Sequence, residues 1–201
     1  MRRPAPAPCL LLAAVFAAVL AVGLGCGGPA APPARPAPLP SAPATSRITR
    51  VPDANTAAIL LMSHNVVLAA ARLAATRAQN RDVKLLARNL VTDHTTMSAN
   101  LTRLLASVEI TPRDDDVTRL LREQSAARRD TLRNLSGWPF DSAYVENEVR
   151  YHQDLLVAID RVFGPSVRNA PLREYVSQMR RPIADHLALA QQVRDAIMPR
   201  R

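Results

Sequence analysis

Between Ala78 and Ala106 the chain reads "AQNRDVKLLARNLVTDHTTMSANLTRLLA", and one face of this stretch repeats apolar residues at spacings of three and four: Val83, Leu86, Leu90, Met97, Leu101 and Leu104. That period belongs to a helix with one buried side and predicts a helix from Val83 to about Ser107. The segment before it, from about Asp53 to Gln79, carries the same pattern in Leu60, His64, Val67, Ala71, Ala74 and Ala78. Only Asn80-Arg81-Asp82 separates the two, so the second helix must return antiparallel as a hairpin. His94 falls on the inner face, where a leucine is expected.

The rest of the chain repeats the theme. "ITPRDDD", Ile110 to Asp116, offers Thr111 as an N-cap, Pro112 at the first helical position and three acids in the first turn. The helix it predicts carries Val117, Leu120, Leu121, Leu132 and Leu135, and stops at Ser136-Gly137. Asp141, after "GWPF", reads as the cap of a fourth helix, Ser142 to Phe163, with Val145, Glu148, His152, Leu155, Ile159 and Val162 inward. Gly164-Pro165 ends it. A last helix from near Pro171 to about Met198 turns Leu172, Val176, Met179, Ile183, His186, Ala190, Val193 and Ile197 inward. No strand signal appears. Aromatic residues make up only 3% of the chain, so the core is built of small aliphatics, which suits close-packed helices. Two hairpins joined by a connection with its own helix predict an all-α, ferritin-like four-helix bundle over residues 53–198.

The chain's four histidines, His64, His94, His152 and His186, fall one on each main helix and all on inward stripes. At ~1.5 Å of rise per residue, the members of each hairpin pair lie level to within about one helical turn, so the four rings converge near mid-bundle. Glu148 precedes His152 by four residues on the same face, which makes it a candidate further ligand or the acceptor that orients the ring. Asp93 and Asp185 each precede a histidine by one residue and point about 100° away from it. Pro182 sits one turn before His186, removes a backbone bond and is expected to kink the last helix.

A histidine on an apolar face is ordinarily a hydrogen-bonded core residue. Four at one depth raise a second reading: a metal site of His94, His152 and His186, completed by His64 or Glu148. Such a donor set suits Zn, Cu, Ni or Fe, and Met62, Met97 and Met179 keep copper in view. A di-iron oxidase is disfavoured, because Glu148 and His152 have the wrong spacing and the first helix offers no inward acid.

The N-terminus is a processing segment. Arg2 and Arg3 precede the apolar run "CLLLAAVFAAVLAVGL", which is of signal-peptide length and shorter than a membrane span. It ends in "GLGCGG", which resembles the lipobox of bacterial lipoproteins although Gly23 stands where leucine is usual. The resemblance implies that residues 1–25 are removed and that Cys26 is lipidated. Gly27, rather than Asp, after the cysteine implies the outer membrane, with the domain facing the periplasm. Cys9 lies inside the signal, so the mature chain keeps one terminal thiol and no internal disulfide. Residues 26–52 form a linker, whose Pro- and Ala-rich run from Gly27 to Ser46, extended at ~3.1 Å per residue, lifts the domain up to ~60 Å from the membrane.

The formal charge of +9 rests on arginine, since Lys84 is the only lysine. These arginines are interleaved with acids and lack an aromatic stacking platform, which argues against nucleic acid as a partner. No serine or cysteine context matches a nucleophile motif, so an enzymatic activity has no anchor in the sequence.

The stretch Ala78–Ala106, together with "SGWPFDSAYVENEVRYHQDLLVAID" and "LREYVSQMRRPIADHLALAQQV", resembles the bacterial domain of unknown function 4142. Its marks here are Val83-Lys84, Asp93-His94, Phe140-Asp141 with Tyr144, and Pro182 with His186. The resemblance implies exported helical proteins of ferritin-like fold, some described as outer-membrane proteins. Members commonly carry a glutamate about where Val67 stands, and His64 lies one turn before it. The sequence thus supports a lipid-anchored envelope protein with a structural or interaction role, and as the alternative a metal-binding bundle.

Overall fold

The computed structural model describes residues 50–198, and the signal segment, Cys26 and most of the linker lie outside them. The described residues form α1 (Asp53–Arg77), α2 (Arg81–Ser107), α3 (Asp116–Arg133), α4 (Gly137–Ala158), a π-helical turn (Ile159–Phe163), the single turn α5 (Gly164–Ser166) and α6 (Ala170–Ile197), with no strand among them.

Hydrogen bonds at the two ends fix the direction of each helix. At the foot of α1, the Asp53 carboxylate accepts from the amides of Arg168 and Asn169, which lead into α6 (2.9 and 2.7 Å). At its head, Arg77 donates to the carbonyls of Arg133 and Leu135 (both 2.9 Å), where α3 ends. Trp138 Nε1, at the start of α4, donates to the Ile197 carbonyl at the end of α6 (3.2 Å). So α1 and α6 run one way and α2 and α4 the other. Around the bundle α1 packs on α2, α2 on α6, α6 on α4 and α4 on α1, while α3 crosses back over α1 and α4. This is the ferritin-like arrangement of two hairpins with a helix-bearing crossover.

The α1–α2 reversal is capped locally and at long range. The Asn80 side chain accepts from the amides of Asp82 and Val83 (2.8 and 3.2 Å), which have no partner within the first turn of α2. The buried Asp141 carboxylate takes the amides of Gln79 and Asn80, the latter at 2.7 Å. This corrects the reading of Asp141 as the cap of its own helix. Gly137 adopts φ of 61°, a left-handed conformation favoured by the lack of a Cβ, and so α4 begins a full turn before Asp141. Asp141 is then free to serve a different helix end.

One further expectation is corrected. The third helix starts at Asp116, not after Thr111-Pro112: Asp115 and Thr118 cap each other reciprocally, and the Arg113 amide is bonded to the Ala54 carbonyl (2.9 Å), which holds that segment extended against α1. Of the apolar residues it carries, Leu132 is fully buried whereas Val117 and Leu120 are exposed, since α3 covers the bundle rather than entering it. Pro182 lies inside the last helix, as the sequence places it. Sequence reading missed the π-helical turn, where the Gly164 amide reaches back five residues to the Ile159 carbonyl just before Pro165, which has no N–H to offer.

Candidate metal centre

The helix periodicities place four imidazoles in one layer. His64 on α1, His94 on α2 and His152 on α4 are completely buried, and His186 on α6 is nearly so. Ring centroids stand 5.2 Å apart for His64–His94, 5.6 Å for His94–His152, 5.1 Å for His94–His186 and 5.5 Å for His152–His186. His94 is therefore in contact with all three others.

Each ring has one nitrogen held from outside. His152 Nδ1 donates to the Glu148 carbonyl (2.9 Å), a contact made within α4 by residues one turn apart. His186 Nε2 donates to the Asp93 carboxylate (3.0 Å), which reaches across from α2. His94 Nδ1 meets His64 Nδ1 at 3.1 Å, and His64 Nε2 meets the Tyr175 hydroxyl at 3.1 Å. The remaining nitrogens are His94 Nε2, His152 Nε2 and His186 Nδ1. All three are shielded from solvent and have no hydrogen-bond partner. Within this trio, one ring nitrogen from each residue lies within 4.8 Å of the others.

Burial keeps two rings of the trio, His94 and His152, uncharged without a cation. Burial pulls His152 and His64 down to about 4, with the nearby His186 ring adding to the effect, and it lowers His94 further, helped by the surrounding histidines. Three ring nitrogens without partners are thus held close together away from solvent. A buried acceptor without a donor costs about 1–3 kcal/mol, so a layer that served packing alone would close these bonds internally. A metal ion would meet all three at once, and the outer hydrogen bonds are those that orient metal-bound imidazoles.

The other sequence candidates lie around this core. His64 uses both nitrogens and stands behind His94, outside the trio. The Glu148 carboxylate lies 3.6 Å from His152 Nδ1, the outward nitrogen, so it is the carbonyl of Glu148 and not its carboxylate that orients the ring. Burial raises that carboxyl to about 8, with Arg128 opposing, so it is largely protonated at neutral pH. Tyr144 is wholly buried beside it in α4. Asp185 is exposed, 4.0 Å from Arg181, and belongs to the surface rather than to the layer, because a helix turns it away from the inward His186. Asp93, Asp185, Pro182 and His186 line a cleft of about 340 Å³ between α2 and α6, so solvent reaches the outer side of the His186 ring. Tyr175 was not legible as a site residue: it sits beside the apolar stripe of Leu172, Val176 and Met179, and only its hydroxyl enters the layer.

The sequence matches the domain of unknown function DUF4142 over residues 37–193. The chain belongs to the DUF4142 family. No curated protein matches this DUF4142 chain. Among solved structures it is similar to a DUF305 protein from Streptomyces coelicolor that is named as secreted, at 12% identity and a TM-score of 0.56, covering 72% of this chain and 93% of that one. At that identity the likeness concerns the fold, an all-helical bundle.

Proposed function

We propose that this DUF4142 domain holds one transition-metal ion between His94, His152 and His186. The carrying observation is the set of three buried nitrogens without partners, each on a ring whose other nitrogen is hydrogen-bonded outward. Three neutral imidazoles with no carboxylate among them fit Zn, Cu, Ni or Fe, and do not fit the oxygen-loving Mg or Ca. Three protein ligands leave a further coordination position open, as in sites that exchange metal or bind a small ligand rather than closed structural sites. The absence of carboxylates from the trio argues against a di-iron oxidase. Protein purified without a histidine tag and incubated separately with Zn, Cu and Fe is expected to retain about one ion per chain by elemental analysis. Retention below about 0.1 for every metal would overturn the reading.

We also propose that the domain works outside the cytoplasm, tethered to a membrane through a lipidated Cys26. Support comes from the signal-type N-terminus, from the lone cysteine at its end, and from the structural neighbour's being named as secreted. Gly27 after the cysteine favours the outer membrane. Cys26→Ala is expected to move the protein from the membrane to the soluble fraction, and continued fractionation with membranes would exclude the lipid as its attachment.

A further inference from the structure

We infer that Tyr175 and His64 form a positioning relay that keeps the proton of His94 on Nδ1 and so presents a bare Nε2 to the trio. The inference deepens the metal reading of the same site and rests on it for its purpose, though not for its geometry.

The Tyr175 hydroxyl lies 3.0 Å from the Met97 carbonyl. Two oxygens at that distance need a hydrogen between them, and a carbonyl has none, so the tyrosine supplies it. The tyrosine oxygen has then spent its only proton. Its 3.1 Å contact with His64 Nε2 must be made by a proton on His64. A neutral imidazole carries one proton, so His64 Nδ1 is bare and can only accept. The 3.1 Å contact between the two Nδ1 atoms therefore uses a proton on His94. His94 in turn has no proton left for Nε2, the nitrogen that faces the layer without a partner.

The chain of bonds leaves α2 at Met97, passes through α6 and α1, and returns to α2 at His94, three residues from its start. It places a hydrogen bond behind His94 as Glu148 does behind His152 and Asp93 behind His186. The ligand atoms follow as His94 Nε2, His152 Nε2 and His186 Nδ1, a mixed set dictated by what stands behind each ring. Were the relay reversed, the His94 proton would sit on Nε2, inside the trio, and would have to be displaced by any incoming ion.

The test is imidazole nitrogen NMR on metal-free, histidine-labelled protein, followed by zinc titration. The wild type is expected to show the His94 proton on Nδ1 and the His64 proton on Nε2. Tyr175→Phe removes the acceptor for His64 Nε2, and is expected to shift the His94 proton toward Nε2 and to weaken zinc binding about 10–100-fold, as loss of an orienting outer partner does. A His94 proton on Nε2 in the wild type would overturn the inference, and this measurement requires no variant to fold. An unchanged His94 tautomer in Tyr175→Phe would overturn it too, because the tyrosine would then be packing and not positioning. Absence of zinc binding by a wild type with the expected tautomers would remove the metal reading and leave the relay standing.

Discussion

His152→Leu is expected to abolish metal binding and, at the same time, to make the metal-free protein more stable. His152 is completely buried, and its Nε2 has no partner. Its other bond goes to the Glu148 carbonyl of the same helix turn, which leucine leaves within the backbone ladder of α4. The substitution thus removes an unsatisfied buried acceptor without orphaning another group, at nearly constant volume. The expected gain is about 1–3 kcal/mol in urea or thermal unfolding measured with chelator present. Loss of one of three ligands should weaken metal binding at least ~10³-fold, or about 4 kcal/mol. An ion at 100 times its dissociation constant stabilises the wild type by about 2.7 kcal/mol, and the variant should show no such rise. The sign of the first effect separates the two readings of the layer. A histidine retained for packing would cost stability when replaced, and a destabilised metal-free His152→Leu protein would count against a metal centre.

The metal-free protein is expected to be most stable near pH 6.5 and to weaken steeply in acid. His64, His94 and His152 are neutral in the fold well below their ordinary value of 6.5, His64 and His152 down to about 4, because burial opposes their charged forms. In the unfolded chain they protonate as pH falls through 6.5, so the unfolded state binds more protons and stability declines with falling pH. Glu148 acts in the opposite sense. Burial raises it to about 8 from 4.5, so it holds a proton in the fold that the unfolded chain releases. Near pH 5 the balance is about two protons taken up on unfolding, a slope of about 3 kcal/mol per pH unit. From pH 6 to 4.5 this removes about 4 kcal/mol, a large share of the ~5–15 kcal/mol that stabilises a typical domain. Above pH 6.5 Glu148 alone makes stability decline gently toward pH 8. Urea midpoints measured from pH 4.5 to 8 with chelator present would show this asymmetric dome, and a flat profile between 6.5 and 4.5 would contradict the burial of the three rings.

Much of this molecule is legible in its sequence because a helix writes its buried side at a fixed local period. The inner residues of α1, α2 and α6, the Asn80-Arg81-Asp82 reversal and the level placement of the histidines all follow from spacings of three and four and a rise of ~1.5 Å per residue. Misreadings occurred where a local signal met a distant partner. Asp141 has the sequence context of an N-cap, yet the amides that donate to it belong to Gln79 and Asn80. Thr111-Pro112 resembles a helix start, but the Ala54 carbonyl claims the Arg113 amide.

The sequence alone thus determined the bundle, its two hairpins, and that four imidazoles meet near mid-depth. Only the tertiary structure decided which nitrogens of those rings are committed and which are open. The protonated nitrogen of an imidazole is set by the atom opposite it, and here those atoms come from Asp93 for His186, Glu148 for His152, and Tyr175 by way of His64 for His94. Two of these three partnerships join residues on different helices through side-chain torsions, and helix periodicity carries no record of them.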